Sequence, residues 1–411
     1  MELKKNMIVF KKNIEQSVLE KKNIAYIKSL GWTIILGVII EFINTISVQQ
    51  FHTSSTSALT FLIYAIVLMI IMSKVLKYKG FYLKGVLVYF LILMVFLLNY
   101  MIFENSRLYL LETNMLLVYF FFIPIAIFVV SKINNWNVAL SILCKFAYLA
   151  VLLSTMGIVL VGYVEHVSYM EFSYSLLPFI MILYCALRTK FTIINLVAFL
   201  ASFTNVLVFG ARAPILYLLV FIVLYEFIKL RKGGIIPVIM CAMAVILSLI
   251  LLFFFSNEIL ILLMKLEELT DSRFLTKMLN NQLLESNTRN AIYDEARYAL
   301  ENMGFGMYGL FGDRLVVSSV YVHNIFYEIL LSFGYVFGTL FILLLIFIIT
   351  KAIVFNKDTI SKVFALFFTA AFFLRFFVSG SFVIEGDFYL YIAAMLNICR
   401  VKGDILEDEK S

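Results

Sequence analysis

The chain has 411 residues, of which 63% are hydrophobic and only 14% are charged. Soluble domains carry about 25% charged residues, so this composition excludes a water-soluble globular fold for the chain as a whole. The net charge of +7 comes from basic residues, and in membrane proteins the positions of such residues set the orientation of the helices.

Apolar runs long enough to cross a bilayer recur along the chain. A spanning helix needs about 20 mostly apolar residues. Because the first run is long and follows a basic segment, residues 1–28 are interpreted as a cytoplasmic tail before an uncleaved helix. About twelve spans are predicted near residues 29–48, 57–73, 83–103, 113–131, 138–162, 172–187, 191–208, 213–230, 235–256, 325–350, 360–379 and 385–399.

Lysine and arginine are concentrated in alternate connections between these runs. If the N-terminus lies inside, every inner connection contains some of them, including Lys74, Lys132, Arg188, Arg231 and Lys357, whereas the short outer connections contain almost none. Basic residues are enriched on the cytoplasmic side of membrane proteins. The pattern therefore predicts a multi-pass membrane protein with both termini in the cytoplasm.

One polar connection, residues 257–322, is much longer than the others and falls on the predicted outer side. Connections of this length in compact proteins are usually functional or disordered. Ile292, Ala296, Leu300 and Met303 recur at helical spacing, and Gly304 suits the end of such a helix. We therefore predict an all-α membrane protein with one large helical extracytoplasmic loop. Its parts are spans 1–9 over 29–256, the loop over 257–322, spans 10–12 over 323–399 and a cytoplasmic tail over 400–411.

Motifs of soluble enzymes are missing from the sequence. There is no P-loop, no GxGxxG after a strand, no GxSxG and no HExxH. Three histidines, His52, His166 and His323, fall on the predicted outer side without metal-ligand spacing, so neither a metal nor another cofactor is predicted. The cysteines are scattered singly and indicate no disulfide framework: Cys144, Cys185, Cys241 and Cys399.

Two arginines on the predicted outer side are candidates for binding an anion. Arg212 follows a tight turn and begins a span in which Pro214 suits the first helical turn, so it lies where a helix N-terminus already favours negative charge. Arg289 shares a helical face with Tyr293, and Arg297 lies two turns further on. The alternatives are an Arg212 that extends to lipid headgroups and, for Arg289 and Arg297, a solvated charged face with Asp294, Glu295 and Glu301 as neighbours.

A third candidate is His323, where the polar loop meets the tenth predicted span. An imidazole titrates near neutrality and can take a proton from a hydroxyl. Asn324 and Glu328 are four residues apart at the start of that span, and a carboxylate there is costly unless it is paired. The alternative is a capping histidine at the membrane interface. Glu41 and Arg375 are further charges within predicted spans, with no role assigned.

Four stretches resemble the bacterial O-antigen polymerase and ligase family: GARAP, NTRNAIYDEA, GFGMYG and VHNIFYEILLSFGYVFG, in this order across residues 209–338. The predicted topology is similar to that family over nearly the whole chain. The resemblance implies a helical C-type membrane glycosyltransferase that moves a glycan from undecaprenyl diphosphate to a hydroxyl on the outer face. It implies that Arg212 and Arg289 hold the diphosphate and that His323 acts on the acceptor.

The neighbouring polar residues Arg297, Tyr293, Asn324 and Glu328 are predicted to bind substrate. The expected partners are a lipid-linked oligosaccharide donor and acceptor, the bilayer, and flippase and chain-length regulator proteins, with no nucleic acid. The resemblance leaves open a polymerase, which joins repeat units, and a ligase, which adds a glycan to a lipid A core. Frequent Lys, Asn, Ile and Phe suggest an AT-rich genome and favour a capsular or exopolysaccharide polymerase.

Two further classes are less favoured. A repeat-unit flippase or transporter is commonly built from two related halves, and no such internal symmetry is evident in this sequence. A membrane-embedded peptidoglycan polymerase is the other alternative.

Overall fold

The computed structural model describes residues 2–51, 57–161, 169–209, 211–230, 287–304 and 306–408, together with positions 261, 264, 265, 268 and 279. Over these residues the chain is helical and has no strand. Within the same residues, nine helices are long and apolar enough to cross a membrane, and a shorter apolar helix covers Ile193–Leu207. The chain is therefore a helical membrane protein. The predicted span at 235–256 lies outside the described residues, as does most of 257–286.

Nine of the predicted runs coincide with these nine helices. The predicted run at 385–399 lies in a helix, Gly386–Asp408, that is not among the nine found in the described residues. The first helix begins at Glu2 and buries Tyr26 and Ile27 completely, so its packed part starts before residue 29. The helices are α1 Glu2–Phe51, α2 Ser57–Lys77, α3 Leu83–Ile102, α4 Arg107–Leu110, α5 Thr113–Leu117, α6 Ile123–Phe128, α7 Ala139–Val161, α8 Tyr169–Thr189, α9 Ile193–Phe209, α10 Arg212–Leu230, α11 Asn287–Met303, α12 Ile325–Ile353, α13 Thr359–Phe368 and α14 Gly386–Asp408.

The centre of the bundle is formed by α1, α7 and α8, with α9 and α10 packed on α8 and with α14 against α6 and α12. In the span of α8, 72% of the residues are buried inside the protein, compared with 11% in α2 and 17% in α3. The apolar surfaces of α2 and α3 are therefore free to face lipid, whereas α8 is a structural core on which a polar site can be built.

The helix beginning at Thr113 and the helix beginning at Thr359 are each interrupted by a π-turn. Val118–Phe122 joins α5 to α6, and Thr369–Phe373 continues α13 into a 3₁₀ turn at Leu374–Phe377. A π-turn inserts one residue into the helical ladder and is frequent at functional sites. Both interruptions border the same cavity, described below.

The predicted loop helix is present as α11. Its stripe of Ile292, Ala296 and Leu300 is at most 8% exposed, and Gly304 follows the helix with a positive φ of 61°. A left-handed residue after the last turn is a common way to end a helix, and glycine adopts it without steric cost. The stripe packs on Val322 and Leu331, so α11 lies against the segment that precedes α12 and against α12 itself.

Gly334 interrupts the helical geometry of α12 and lies at the contact between the stretches GFGMYG and LSFGYVFG. Its φ of 73° and ψ of 175° are not helical, and a Cβ at this position would lie 2.5 Å from the carbonyl oxygen of Gly306. The backbone N–H of Tyr308 donates a hydrogen bond of 3.0 Å to the carbonyl of Leu331. GFGMYG and LSFGYVFG are therefore in direct backbone contact, and their glycines have a packing role.

Candidate functional site

His323 lies in a tight turn immediately before α12. Its φ is 56°, a left-handed conformation that is uncommon for residues other than glycine. Asn324 caps the helix, because its side-chain oxygen accepts hydrogen bonds from the backbone N–H groups of Phe326 at 2.9 Å and Tyr327 at 3.4 Å. The alternative of His323 as the capping residue is therefore wrong. The side chain of His323 belongs to the turn and not to the helix.

Three contacts from different parts of the chain hold this turn. The carboxylate of Asp313 accepts a hydrogen bond of 3.0 Å from the backbone N–H of Val322. Tyr293 of α11 donates its hydroxyl to the carbonyl of His323 at 3.4 Å. The hydroxyl of Tyr321 accepts a hydrogen bond of 3.1 Å from the backbone N–H of Gly380. The strained conformation is thus fixed by its surroundings, as strained residues at functional sites usually are.

The environment of His323 favours a neutral imidazole. Burial lowers its pKa from the ordinary value, and the positive charge of Arg289 lowers the pKa further. Its Nδ1 is buried and makes no hydrogen bond with the described residues. A neutral imidazole at physiological pH can accept a proton, which is the requirement for a general base.

Arg289 lies at the same end of the bundle as the start of α10. Its guanidinium interacts electrostatically with His323, with Tyr174 of α8 and with Tyr217 of α10. The rings of Tyr174 and Tyr217 lie 6.3 Å apart. Arg212 is the first residue of α10, five positions before Tyr217. Arg289 therefore lies within electrostatic range of His323 and of Tyr217, which belongs to the helix that begins at Arg212.

Glu328 has a structural partner that differs from the predicted one. The sequence spacing suggested a pair with Asn324, but Asn324 is occupied as the helix cap. The buried carboxylate of Glu328 instead accepts hydrogen bonds from the hydroxyl of Ser381 and from the backbone N–H of Phe382, the latter at 3.2 Å. Glu328 thereby ties the start of α12 to the segment before α14.

Arg297 is not brought to the site. Its side chain is 60% exposed and forms a 3.4 Å ion pair with Asp294, which is 70% exposed. Exposed pairs of this kind contribute little to stability. Tyr293 and Tyr327, in contrast, pack with ring centroids 5.7 Å apart and carry the contact between α11 and α12 beneath His323.

A cluster of charged residues beside the turn was not predicted as a unit. The guanidinium of Arg375 forms hydrogen-bonded ion pairs with Asp387 at 2.8 Å and with Glu385 at 3.1 Å. It also lies 4.7 Å from the ring centroid of Tyr174. Arg375 was recognised from the sequence only as an intramembrane charge. Its partners lie ten and twelve positions away across an irregular turn, so helical spacing could not identify them.

The site therefore combines a histidine whose pKa is lowered, an arginine within electrostatic range of it, and a charged cluster on the segment that binds Tyr321. Such a site can remove a proton from a hydroxyl and stabilise an anionic leaving group. Comparison of the chain with models of protein families, with curated proteins and with solved structures finds no match.

Proposed function

We propose that the chain is a membrane glycosyltransferase that polymerises a capsular, exo- or O-antigen polysaccharide. It transfers the glycan of an undecaprenyl diphosphate-linked unit to a sugar hydroxyl of another lipid-linked unit at the outer face of the membrane. The resemblance of four stretches to the O-antigen polymerase and ligase family supports this proposal. The observation that carries it is the fixed left-handed turn that holds His323, with a buried Nδ1 that no described residue binds, within electrostatic range of Arg289.

The chemistry of the transfer requires both groups. The acceptor hydroxyl is a weak nucleophile, and His323 takes its proton as the new glycosidic bond forms at the anomeric carbon of the donor. The bond from that carbon to the diphosphate oxygen breaks, and negative charge builds up on the departing diphosphate. Arg289 and Arg212 stabilise that charge, since a guanidinium can donate to two phosphate oxygens at once. The diphosphate itself supplies the energy, so no nucleotide is needed.

The proposed topology has twelve spans, a loop over residues 257–322 on the outer face and both termini in the cytoplasm. The alternation of basic residues supports it. In this arrangement the starts of α10, α11 and α12 meet the lipid-linked substrates at the outer surface of the cytoplasmic membrane. Flippase and chain-length regulator proteins are the proposed partners in the pathway.

The proposal is tested by deleting the gene in its host and analysing the glycans attached to undecaprenyl diphosphate. We expect single repeat units to accumulate on lipid at the outer face and long chains to disappear. Complementation with the wild-type gene should restore long chains, whereas complementation with His323→Ala or Arg289→Ala should not.

Other outcomes identify other functions. Long chains that stay on the lipid carrier after deletion would show a ligase. Single units trapped on the cytoplasmic side would show a flippase. Unchanged lipid-linked glycans together with a loss of cell-wall polymer would show a peptidoglycan polymerase, and each of these results would overturn the proposal.

A further inference from the structure

A cavity of about 410 Å³ lies between α1, α2, the π-turn at Val118–Phe122, α8, the residues around Arg375 and the start of α14. Pockets for small molecules usually have volumes of about 300–1,000 Å³, so this cavity can hold a compact ligand. Tyr174 and Arg375 both line it, and the guanidinium lies 4.7 Å from the centroid of the tyrosine ring. The segment that follows Arg375 binds the hydroxyl of Tyr321 through the backbone N–H of Gly380, and the ring of Tyr321 packs against His323. The cavity wall is therefore connected to the proposed reaction centre through Tyr321.

The charge of the cavity differs from that of the diphosphate site. Among its described lining residues, four carry a carboxyl group and one carries a guanidinium: Glu41, Glu171, Glu385, Asp387 and Arg375. Arg375 is already bound by two of the carboxylates, at 2.8 and 3.1 Å. Because the carboxyl groups outnumber the guanidinium and two of them already bind it, an anion entering the cavity would be repelled, so the lipid diphosphate does not fit here.

The arrangement of Arg375 keeps hydrogen-bonding groups fixed at the cavity wall. Its side chain is 12% exposed, whereas Glu385 and Asp387 are 29% and 28% exposed. Each carboxylate has more acceptor sites than its bond to Arg375 uses, and the buried Nε of Arg375 makes no hydrogen bond with the described residues. The cluster thus presents acceptors, held in place by the guanidinium, to a ligand with several donors.

The remaining walls suit a ligand with an apolar face. Tyr174, Tyr64 and Phe122 line the cavity with aromatic rings. A metal ion is a poor occupant, because no group of three or more His, Cys, Asp or Glu side chains in the described part of the chain is arranged to hold one. A sugar ring has hydroxyl donors on its edge and C–H groups on its faces, and it matches both kinds of wall.

We propose that this cavity binds an uncharged sugar ring of the glycan substrate and that Glu385 and Asp387 accept its hydroxyl groups. The proposal rests on the proposed function, and it adds a subsite that selects against acidic sugars. A ring held here, against the wall that connects to His323 through Tyr321, would position the next sugar of the glycan for reaction. The bound sugar ring could belong to the donor glycan or to the acceptor glycan.

The test uses the full-length protein in phosphatidylglycerol-containing nanodiscs and saturation-transfer NMR with free sugars as probes. We expect transfer to at least one of glucose, galactose and N-acetylglucosamine, and none to glucuronate at the same concentration. Thr60→Trp, which places a large side chain at the cavity rim, should weaken the neutral sugar about tenfold or more. Asp387→Asn should weaken it similarly, because a carboxylate acceptor is lost.

Two controls keep a folding defect from being read as a binding defect. Glu226→Gln removes a carboxylate that pairs with Arg188 at 2.6 Å and does not line the cavity, so it should leave sugar binding unchanged. Thermal melting should show that Thr60→Trp is folded. Equal binding of glucuronate, unchanged binding in folded Thr60→Trp, or no binding of the three neutral sugars to the wild-type protein would overturn the proposal.

The measurement is independent of polymer formation. If the deletion experiment shows no glycan polymerase but neutral sugars still bind as expected, the proposed function fails and the sugar site stands. If a polymerase is shown and no sugar binds, only the subsite is wrong. In a reconstituted reaction, a higher KM of Thr60→Trp for a free oligosaccharide acceptor identifies an acceptor subsite, whereas weaker binding of the lipid-linked unit identifies a donor subsite.

Discussion

The rings of Tyr321 and His323 lie 4.1 Å apart between centroids, with an angle of 51° between their planes. The hydroxyl of Tyr321 accepts a hydrogen bond from the backbone N–H of Gly380, which lies between the turn at Leu374–Phe377 and α14. The residue that packs against the imidazole is therefore anchored on the segment that follows Arg375. Phe326 and Phe377, with centroids 5.2 Å apart, reinforce this connection. The histidine and the charged cluster therefore form one structural unit, and changes in either should affect the other.

The pH dependence of transfer should follow from the lowered pKa of His323. A general base acts in its neutral form, and the lowered pKa keeps His323 neutral to below the ordinary value of about 6.5. We expect kcat/KM to be constant through neutrality and to fall only at more acidic pH. His323→Ala should reduce turnover by about 10²–10⁴-fold and abolish this acidic limb. Single-turnover assays with purified lipid-linked units across pH would measure both effects.

The titratable groups that contact the His323 turn or act on its imidazole include Arg289, Tyr321, Tyr293 and Asp313, and Arg289 gives a second test. Arg289→Gln removes a positive charge and so raises the pKa of His323. The fall in the residual activity at acidic pH should therefore begin at a higher pH than in the wild type. The NMR titration of His323, in a variant in which His52 and His166 are replaced, should shift in the same direction. A pH profile of Arg289→Gln that coincides with the wild type would contradict the electrostatic coupling.

Two arginines on α11 form a matched pair. Arg289→Ala should lower kcat by about 10²–10³-fold, the usual effect of removing one donor to a developing anion. Arg297→Ala should leave kcat near the wild-type value, because Arg297 lies in an exposed ion pair with Asp294.

Lysine at position 289 or at Arg212 should restore little activity, since it cannot donate to two oxygens in a fixed plane. Equal activity of Lys and Arg at both positions would show that a general positive field is sufficient.

Asp313 should act as a positioning residue. Burial raises the pKa of its carboxyl, yet one oxygen still receives the backbone N–H of Val322 next to His323. Asp313→Ala leaves that N–H unpaired at a cost of about 1–3 kcal/mol and should lower kcat while donor affinity is unchanged. Asp313→Asn keeps an oxygen acceptor and should restore much of the activity. Equally low kcat in both variants, at matched melting temperatures, would assign Asp313 a different role.

Gly334 should be intolerant of a side chain. Gly334→Ala forces a positive φ on an alanine and places its Cβ 2.5 Å from the carbonyl oxygen of Gly306, so we expect destabilisation by at least about 1–2 kcal/mol. Gly157→Ala is the control, because its Cβ would lie 3.4 Å from Phe42 in ordinary contact and alanine favours a helix. Thermal unfolding in nanodiscs measures both variants. A melting temperature of Gly334→Ala at or above the wild-type value would refute this prediction.

Cysteine labelling tests the orientation of α11. In a variant in which Cys144, Cys185, Cys241 and Cys399 are replaced, Glu301→Cys should react with an impermeant maleimide added to intact cells. Lys357→Cys, between α12 and α13, should react only after the membrane is permeabilised. The two positions are both exposed, so accessibility in the protein does not explain a difference. The reverse pattern would place the loop in the cytoplasm.

The long apolar helices and α11 could be predicted from the sequence, because burial in a membrane protein depends mainly on runs and periodicity of apolar residues. The stripe through Ile292, Ala296 and Leu300 is an example, since its spacing alone identifies the buried face. The same reasoning selected His323 and Arg289 as polar residues near predicted helix ends.

The contacts between those residues could not be predicted in the same way. The left-handed turn at His323 depends on Asp313, Tyr293 and Gly380, which are distant in sequence. Glu328 was assigned to the nearest amide by helical spacing, but its partners are supplied by a segment more than 50 positions later. Helical spacing describes neighbours on one helix and contains no information on which loop packs against it.

The π-turn at Thr369–Phe373 makes the position of Arg375 depend on the number of residues in its helix as well as on their identity. Deleting one residue from this turn would restore a regular helix and rotate the following residues by about 100°. Arg375 would then point away from Glu385 and Asp387, although every residue of the cluster would still be present. A single-codon deletion could therefore be more damaging here than most substitutions, and an alignment of related chains should place its gaps outside residues 369–373.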